Sequence, residues 1–373
     1  MLANIWRFLC ALADWRTILR KLFGRPVINT VFVTNMRDDK DRQNFLGGWS
    51  PPEGHFNGPR YWLNGLISGR TRAMNLTAEE MVDLTGRRLA RKKSAEVIQW
   101  AGKQGANVIL FAAGTKHLFE GDHKFLTEKF PKMVFTIGDN GTMLLLRKET
   151  LRALDKSVLI PGISRIAVLG PYGILGEMMV RTLKTGGFDI IGAGPNEDGL
   201  EKVRKKYDIR VCRDFYEMGK VDAVVACTHS ENIRLNSDNI DLIRRNYQKL
   251  LVIDVAEPSN LTYKEYQKCK DRVIRQDAGN AYAPGLKYVL GAISYKMFRL
   301  TQGVTFGCFA EAMALSWALG NGHREEVLQR NWLEVDDEKM EYCAKLFEEL
   351  GFQIPSPRCF SSPVKSFDLN LDL

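Results

Sequence analysis

The 373-residue chain lacks any apolar run of the roughly 18–20 residues needed to cross a bilayer. It also lacks a signal-peptide pattern: residues 1–23 have an apolar side, but Arg7, Asp14, Arg16, Arg20 and Lys21 interrupt it. Cysteine is sparse and unpatterned. The seven cysteines, at 10, 212, 227, 269, 308, 343 and 359, are odd in number and never spaced Cys-x-x-Cys. That argues against a disulfide framework or a zinc site and for reduced thiols in a cytoplasm. His55, His117, His123, His229 and His323 fall into no metal-ligand spacing, so no metal is expected. No recognisable nucleic-acid-binding motif is present, and nucleic acid is not expected as a partner. The net charge of +9 still asks for an anionic partner: a phosphorylated cofactor, an acidic carrier protein or an anionic membrane surface. With 45% hydrophobic and 26% charged residues the chain has an ordinary globular composition, and its length suffices for two domains.

What is there is organised around residues 163–196. Ile166-Ala167-Val168-Leu169 is a continuous apolar run, as in a strand buried on both faces. Gly170-x-x-Gly173-x-x-Gly176 follows, then an apolar helical stretch that Gly186-Gly187 closes, then Phe188-Asp189-Ile190-Ile191 as a second strand. This is the opening βαβ unit of a dinucleotide-binding domain. Its glycines let the backbone approach a pyrophosphate, and the helix N-terminus offers that anion free N–H groups. Candidate cofactor-binding residues are Gly170, Gly173, Ile174, Leu175 and Gly176 at the turn, and Asn196 beyond the second strand. An acid is missing where NAD enzymes hold the ribose 2′-hydroxyl: the strand runs into Gly192-Ala193-Gly194-Pro195-Asn196, with Lys202, Arg204 and Lys205 downstream. That favours NADPH over NADH.

Residues 1–25 have the apolar spacing of an amphipathic helix, compatible with an interfacial helix on a membrane or with packing on its own domain or a partner subunit. A strand is expected at 27–33, and the Gly-, Pro- and aromatic-rich stretch 46–69 reads as an ordered loop region. Thr77-x-x-Glu80 is a capping box for a long helix from about 78 to 104. Its Arg87, Arg88, Arg91, Lys92 and Lys93 form either a solvated face or a docking patch. Residues 108–111 form a buried strand ending in a loop with Thr115, Lys116 and His117, where Lys116 or His117 could polarise a carbonyl or move a proton. A strand at 133–137 and a turn at 138–141 lead to a helix at 142–154. Beyond the glycine motif come a helix at 200–207 and strands at 209–212, 223–227 and 250–255. Thr228 and His229, at a strand's carboxyl end, are cofactor-site candidates.

Cys308 opens an apolar run, GCFAEAMALSWALG, that reads as a helix beginning at the cysteine. A thiol there sees unpaired N–H donors and the positive dipole end, which favours its thiolate. Beside a nicotinamide such a thiolate suits acyl transfer followed by hydride reduction, with Glu311 as cap or proton donor; the alternative is a small core residue. Met313, Leu315 and Trp317 are either lining for an acyl tunnel or core.

Phe306-Gly307-Cys308-Phe309-Ala310-Glu311-Ala312-Met313, with Glu338-Lys339-Met340 and Gly351-Phe352, closely resembles the C-terminal part of cyanobacterial long-chain acyl-ACP reductases, aldehyde-forming enzymes of the alkane pathway. Thr115-x-x-x-Phe119-Glu120, Phe135-Thr136-x-Gly138-x-x-x-Thr142, Val168-x-Gly170-x-x-Gly173-x-x-Gly176 and Leu251-x-Ile253-Asp254 are similar to that family too. The resemblance spans roughly residues 60–352. It implies Cys308 as the acyl-accepting nucleophile and Thr142 as a further cofactor contact. It implies NADPH as reductant and acyl carrier protein or coenzyme A thioesters as partners, with an aldehyde-consuming enzyme as a further candidate. The chain departs from the family at Gly194, where an Arg is typical, at Lys116-His117, where Ser and an aliphatic residue are typical, and over its first 60 residues.

The expected fold is α/β: a Rossmann-type doubly wound parallel sheet and a second α/β acyl-binding domain completed by C-terminal helices. The boundaries expected are 1–157 for the acyl-binding domain, 158–295 for the Rossmann domain, 296–355 for the segment carrying the nucleophile and 356–373 for a tail. The activity expected is reduction of a long-chain acyl thioester to an aldehyde through a cysteinyl acyl-enzyme, in a cytoplasmic protein with peripheral membrane contact as an option. The alternatives are a shikimate-dehydrogenase-like oxidoreductase with Lys116 as general base and no covalent intermediate, and a dinucleotide-binding scaffold anchored through residues 1–25.

Overall fold

Short apolar runs closed by glycines and polar turns become the strands of two six-stranded sheets in the computed structural model, which describes residues 9, 12–111, 113–119 and 121–371. The chain divides into two units. One holds residues up to Gly141 together with Ala281–Gln353; the other holds Thr142–Asn280 and the residues from Ile354 on.

The first unit contains β1 (Thr30–Met36), β2 (His55–Leu63), β3 (Ile67–Thr77), β4 (Val108–Phe111) and β5 (Val134–Thr136). The second contains β6 (Arg165–Leu169), β7 (Asp189–Ala193), β8 (Arg210–Cys212), β9 (Ala223–Ala226), β10 (Leu250–Asp254) and β11 (Val273–Asp277). The chain then runs through β12 (Asn280–Tyr282), and the first unit regains β13 (Leu286–Tyr288) and β14 (Val304–Phe306). In the second unit every pair is parallel and the order is β11-β10-β9-β6-β7-β8. That is the doubly wound arrangement, with the topological switch between β6 and β9. Strands such as β9 and β10 are buried at every residue because helices cover both faces, which is why they read as unbroken apolar runs. The first sheet, ordered β13-β2-β3-β1-β4-β5, is mixed: β3, β1, β4 and β5 run parallel, while β2 and β13 are antiparallel to their neighbours. The fold is therefore α/β with a Rossmann-type sheet and a second α/β unit.

Several local expectations shift. The first strand begins at Thr30 rather than at 27. The stretch read as a loop at 46–69 is mostly the β2–β3 hairpin. Its turn is Asn64-Gly65, both at positive φ (51° and 71°), with the Leu66 N–H donating to the Leu63 carbonyl at 2.9 Å. Asn-Gly is the dipeptide that accepts this backbone with least strain. The Thr77–Glu80 box forms, with the Thr77 N–H donating to Glu80 at 2.8 Å and the Glu80 N–H to Thr77 Oγ1 at 3.2 Å. It closes only a short turn; Asp83 caps the helix proper, Leu84–Lys103. Residues 139–141 belong to the helix Asp139–Lys156 instead of a turn before it. That helix, whose end suggested a boundary at 157, carries the chain from one unit into the other.

The helix Gly307–Gly320 lies at the heart of the first unit. Buried at all but a few positions, it packs against β1, β3, β4 and the helix Asp337–Leu350. Met313 and Leu315 are fully buried core and Trp317 is half-buried. The C-terminal residues are part of the second unit. The Lys249 N–H donates to the Leu369 carbonyl at 2.8 Å, and the Phe360 ring covers Arg275, which is buried against Asp254 at 2.9 Å. On the helix Leu84–Lys103, Arg87 donates to the His117 carbonyl, Arg91 pairs with Asp122 and Lys93 with Glu96, so much of this basic run is engaged within its own unit. The helical signal in residues 1–25 falls partly outside the described residues; the described part forms the helix Trp15–Leu22.

Candidate active site

Cys308 stands in the first turn of its helix, behind Phe306, whose side chain makes no capping hydrogen bond. The helix start is pressed onto the loop after β5. A Cβ on Gly138 would lie 2.2 Å from the Cys308 Cβ and 2.5 Å from its Cα, so only glycine fits there, and it does so at φ +73°. One turn on, Glu311 is fully buried. Its carboxylate accepts from the Thr136 hydroxyl and from the Gly141 N–H at 2.6 Å, and Thr136 Oγ1 in turn accepts the Gly138 N–H at 2.9 Å. These bonds fasten the helix that carries Cys308 to the end of β5. From the segment Ala113–Phe119, Lys116 reaches across to Asp139 at 2.5 Å.

Electrostatics inside this cluster run against the helix-terminus argument. Cys308 is half-buried, and burial is the largest influence on its thiol, which is pushed up to about 12. Lys116 and the Phe309 N–H favour the thiolate, but Asp139 and Glu311 oppose it. The expected resting thiolate is therefore a resting thiol: dipole and amide contributions near a helix end are of the order of 1 kcal/mol, too small against desolvation of a charge. Glu311 shows the same effect, raised to about 7 by burial against the bonds from Thr136 and Gly141. For Lys116 burial works downward, yet the ion pair and hydrogen bond with Asp139 hold it above its ordinary value, so it stays a cation. A thiol, a carboxyl that titrates near neutrality and a fixed cation are thus gathered at one place.

An aromatic wall adjoins them. Phe309 packs on Phe32 (ring centroids 4.9 Å), Tyr61 (5.1 Å) and Phe306 (5.6 Å), and Phe298 and Tyr288 extend the cluster.

In the second unit the turn after β6 has the shape a dinucleotide needs. Gly170 has φ +74°, and a Cβ there would come within 2.7 Å of the Thr228 Cβ at the end of β9. Gly173 precedes the helix Ile174–Thr185 with no side-chain cap, which leaves the first N–H groups of Ile174, Leu175 and Gly176 for an anion. A Cβ on Gly176 would sit 2.0 Å from the Gly170 carbonyl oxygen. The residues present fit a bound pyrophosphate. Gly176→Ala must push the helix off the turn and is expected to weaken nicotinamide dinucleotide binding by an order of magnitude or more, at about 1–3 kcal/mol of overpacking. An unchanged Kd in a fluorescence titration would refute the assignment.

The other predicted residues are placed unequally. Thr228 is half-buried at the switch point, with its carbonyl bound by Asn260. His229 is exposed, its pKa lowered by partial burial and by Arg234. Thr142 lies against Gly279, close to the end of β10 at Val255. Asn196 caps the helix Glu197–Tyr207, accepting the Gly199 N–H at 2.9 Å, so its carbonyl oxygen already has a structural role. His117 is exposed, next to a Lys116 that is drawn into the Cys308 cluster. Gly194, where the resembling family has Arg, is overlaid by the Tyr172 ring, 2.7 Å from where a Cβ would be. Tyr172, Asn196, Asp198, Lys202 and Lys206 line a cleft of about 410 Å³ there. Sequence reasoning missed Asp139 and the aromatic wall and gave Thr136 no role. The only signal for Thr136 was its place in the stretch quoted for the resemblance; nothing local marked Asp139, Phe32, Tyr61 or Tyr288.

Fold and site together define a two-unit α/β protein with a Rossmann-type dinucleotide cradle and a cysteine-centred cluster. No family model and no curated protein sequence matches the chain. Among solved structures it is similar to L-tryptophan dehydrogenase from Nostoc punctiforme, at 12% identity and TM-score 0.42, over 87% of this chain and 88% of that one. It is also similar to shikimate 5-dehydrogenase from Thermus thermophilus, at 12% identity and TM-score 0.37, over 87% of this chain and 100% of that one. The nucleotide-binding domain of glutamyl-tRNA reductase from Thermoplasma volcanium matches at 17% identity and TM-score 0.27, over 35% of this chain and 84% of that one. The fold assignment rests on the strand order above.

Proposed function

We propose that the chain is a nicotinamide-dependent oxidoreductase that reduces a long-chain acyl thioester, on acyl carrier protein or coenzyme A, to the aldehyde by way of an acyl group on Cys308. The observation that carries this reading is the company Cys308 keeps: the Lys116–Asp139 pair, a Glu311 that titrates near 7 and an aromatic wall in one cluster. The substrate class comes from the resemblance of residues 306–313 to the acyl-ACP reductases. NADPH is the proposed reductant, since no carboxylate follows β7 at Gly194-Pro195-Asn196 and Lys202 and Lys206 line the cleft there.

The steps follow from the groups. Glu311 takes the Cys308 proton, and Lys116 stabilises the thiolate so formed. The sulfur adds to the thioester carbonyl, the bond to the carrier sulfur breaks, and the carrier leaves as a thiol with the proton that Glu311 held. When bound, the reduced nicotinamide supplies a hydride. Release of the aldehyde returns Cys308 as a thiolate beside Lys116, to be reprotonated through Glu311. The test is incubation of the full chain with palmitoyl-CoA and NADPH. Hexadecanal formed mole for mole with NADPH consumed supports the reading; NADPH binding without aldehyde overturns it.

One observation favours a second reading. The Lys116–Asp139 pair would also serve as the acid–base group of a dehydrogenase acting on an alcohol or ketone, with Cys308 structural. That reading requires Cys308→Ser to keep most activity.

Glu311 also makes stability depend on pH. Its folded pKa of about 7 lies above the ordinary 4.5, so the folded protein holds a proton that the unfolded chain releases. Its contribution is whole below pH about 4.5 and is lost as pH rises through 7. Glu149, buried and raised to about 8, adds a similar limb. In Glu311→Gln the amide can still serve Thr136 and Gly141. That variant is expected to flatten the fall in stability between pH 5 and 8 by on the order of 2–3 kcal/mol, measured by urea melts. An unchanged slope refutes the buried-carboxyl assignment.

A further inference from the structure

The helix Trp15–Leu22 is mounted with its polar side toward the protein. Asp14, just before it, is buried: its carboxylate accepts from Arg60 at 2.9 and 3.0 Å and from Arg70 at 2.5 Å. Arg20 donates to the carbonyls of Pro26 (3.2 Å) and Gly65 (3.1 Å). The opposite side is apolar and faces out, with Trp15 53%, Ile18 50%, Leu22 74% and Phe23 74% exposed, and Leu12 and Leu19 beside them. Leu66, at the tip of the β2–β3 hairpin that Arg20 holds, is exposed as well. A surface helix of a globular domain buries its apolar stripe, and this one displays it. The orientation is enforced, because turning the helix to bury Trp15 would strand Arg60 and Arg70 without their carboxylate.

Charge identifies the occupant. Lys21 and Arg25 are exposed beside this face, while Asp14, the single acid of residues 12–25, is consumed by Arg60 and Arg70. A second copy on a two-fold axis would set this cationic patch against itself. An anionic lipid surface matches both features: headgroup phosphates for the cations, and the headgroup–acyl boundary for Trp15, Leu22 and Phe23. We propose that the protein docks on anionic membranes through the outward face of Trp15–Leu22, with Leu12, Phe23 and the Leu66 hairpin tip. The proposal does not depend on the reductase reading.

The test is flotation of the full chain with phosphatidylcholine–phosphatidylglycerol vesicles and with phosphatidylcholine alone. The wild type is expected to float with the anionic vesicles and to lose this at high salt. Leu19→Glu/Leu22→Glu is expected to lower partition at least about tenfold through lost apolar insertion. Lys21→Glu/Arg25→Glu should lower it by about tenfold through lost attraction to the headgroups. All four residues are exposed, so melting temperatures should match the wild type. Three results overturn the proposal: no flotation of the wild type with anionic vesicles, flotation unchanged in either variant, or a wild-type dimer by light scattering that Leu19→Glu/Leu22→Glu dissociates without any vesicle binding.

Discussion

Cys308→Ser is expected to abolish both the acyl adduct and aldehyde formation while NADPH binding is kept. The wild type, mixed with palmitoyl-CoA without NADPH and examined by intact-protein mass spectrometry, should gain one palmitoyl mass that the variant lacks. Serine keeps the size of the side chain and can accept the Phe309 N–H that the sulfur receives, so the helix start should stay in place. What changes is nucleophilicity. Cys308 sits in a setting that resists charge, and burial already pushes its thiol to about 12. A hydroxyl starts from a far higher pKa, and Lys116 and Glu311 cannot close that gap. Loss of the nucleophile should therefore cost on the order of a thousandfold or more in turnover, as removal of a covalent catalyst does in other enzymes. If the variant turns over at the wild-type rate, Cys308 is a packing residue and the Lys116–Asp139 pair becomes the centre of a non-covalent dehydrogenase.

The second unit was legible in the sequence because its signals are local. Ile166–Leu169 and the runs at 223–227 and 250–255 are unbroken because both faces of their sheet are covered, and glycines mark the turn between strand and helix. The first unit was less so. Pro51, Pro52 and Pro59, with Trp49, Phe56, Tyr61 and Trp62 around them, masked a hairpin. Pro59 falls where the β2–β3 register shifts between Asn57 and Arg60, an irregularity that lets proline sit in a strand. Asn64-Gly65 was the signal that could have revealed it. The orientation of the helix Trp15–Leu22 was not readable at all. Its spacing fits a face turned in or out, and the decision is made by Asp14 with Arg60 and Arg70, 46 and 56 residues away in the chain. The thiol state of Cys308 was hidden for a related reason: the helix terminus is a local feature, whereas burial comes from what packs on that end of the helix, Gly138 and the loop after β5 among it.

The close approach of Gly138 yields the second large effect. Gly138→Ala is expected to destabilise the first unit by about 2–5 kcal/mol and to change the rate at which iodoacetamide alkylates Cys308. Two penalties combine. The backbone sits at φ +73°, where a side chain is strained, and the new Cβ would meet the Cys308 Cβ at 2.2 Å, its Cα at 2.5 Å and Leu110 Cδ1 at 2.9 Å. A Cα cannot swing aside as a side-chain end can. The helix Gly307–Gly320 would have to retreat, yet Glu311 ties it to Thr136 and Gly141, and a Cβ on Gly141 would itself come within 2.9 Å of the Gly307 carbonyl. Gly121 separates the two penalties: it has nearly the same φ, +77°, with nothing within 4 Å of where its Cβ would be. Gly121→Ala should therefore cost only the backbone strain, of the order of 1 kcal/mol, and leave Cys308 alkylation unchanged. Equal losses in the two variants would mean that the loop after β5 does not bear on the helix that carries Cys308. A clearly larger loss at Gly138, with altered alkylation, would show that the missing side chain at 138 positions Cys308.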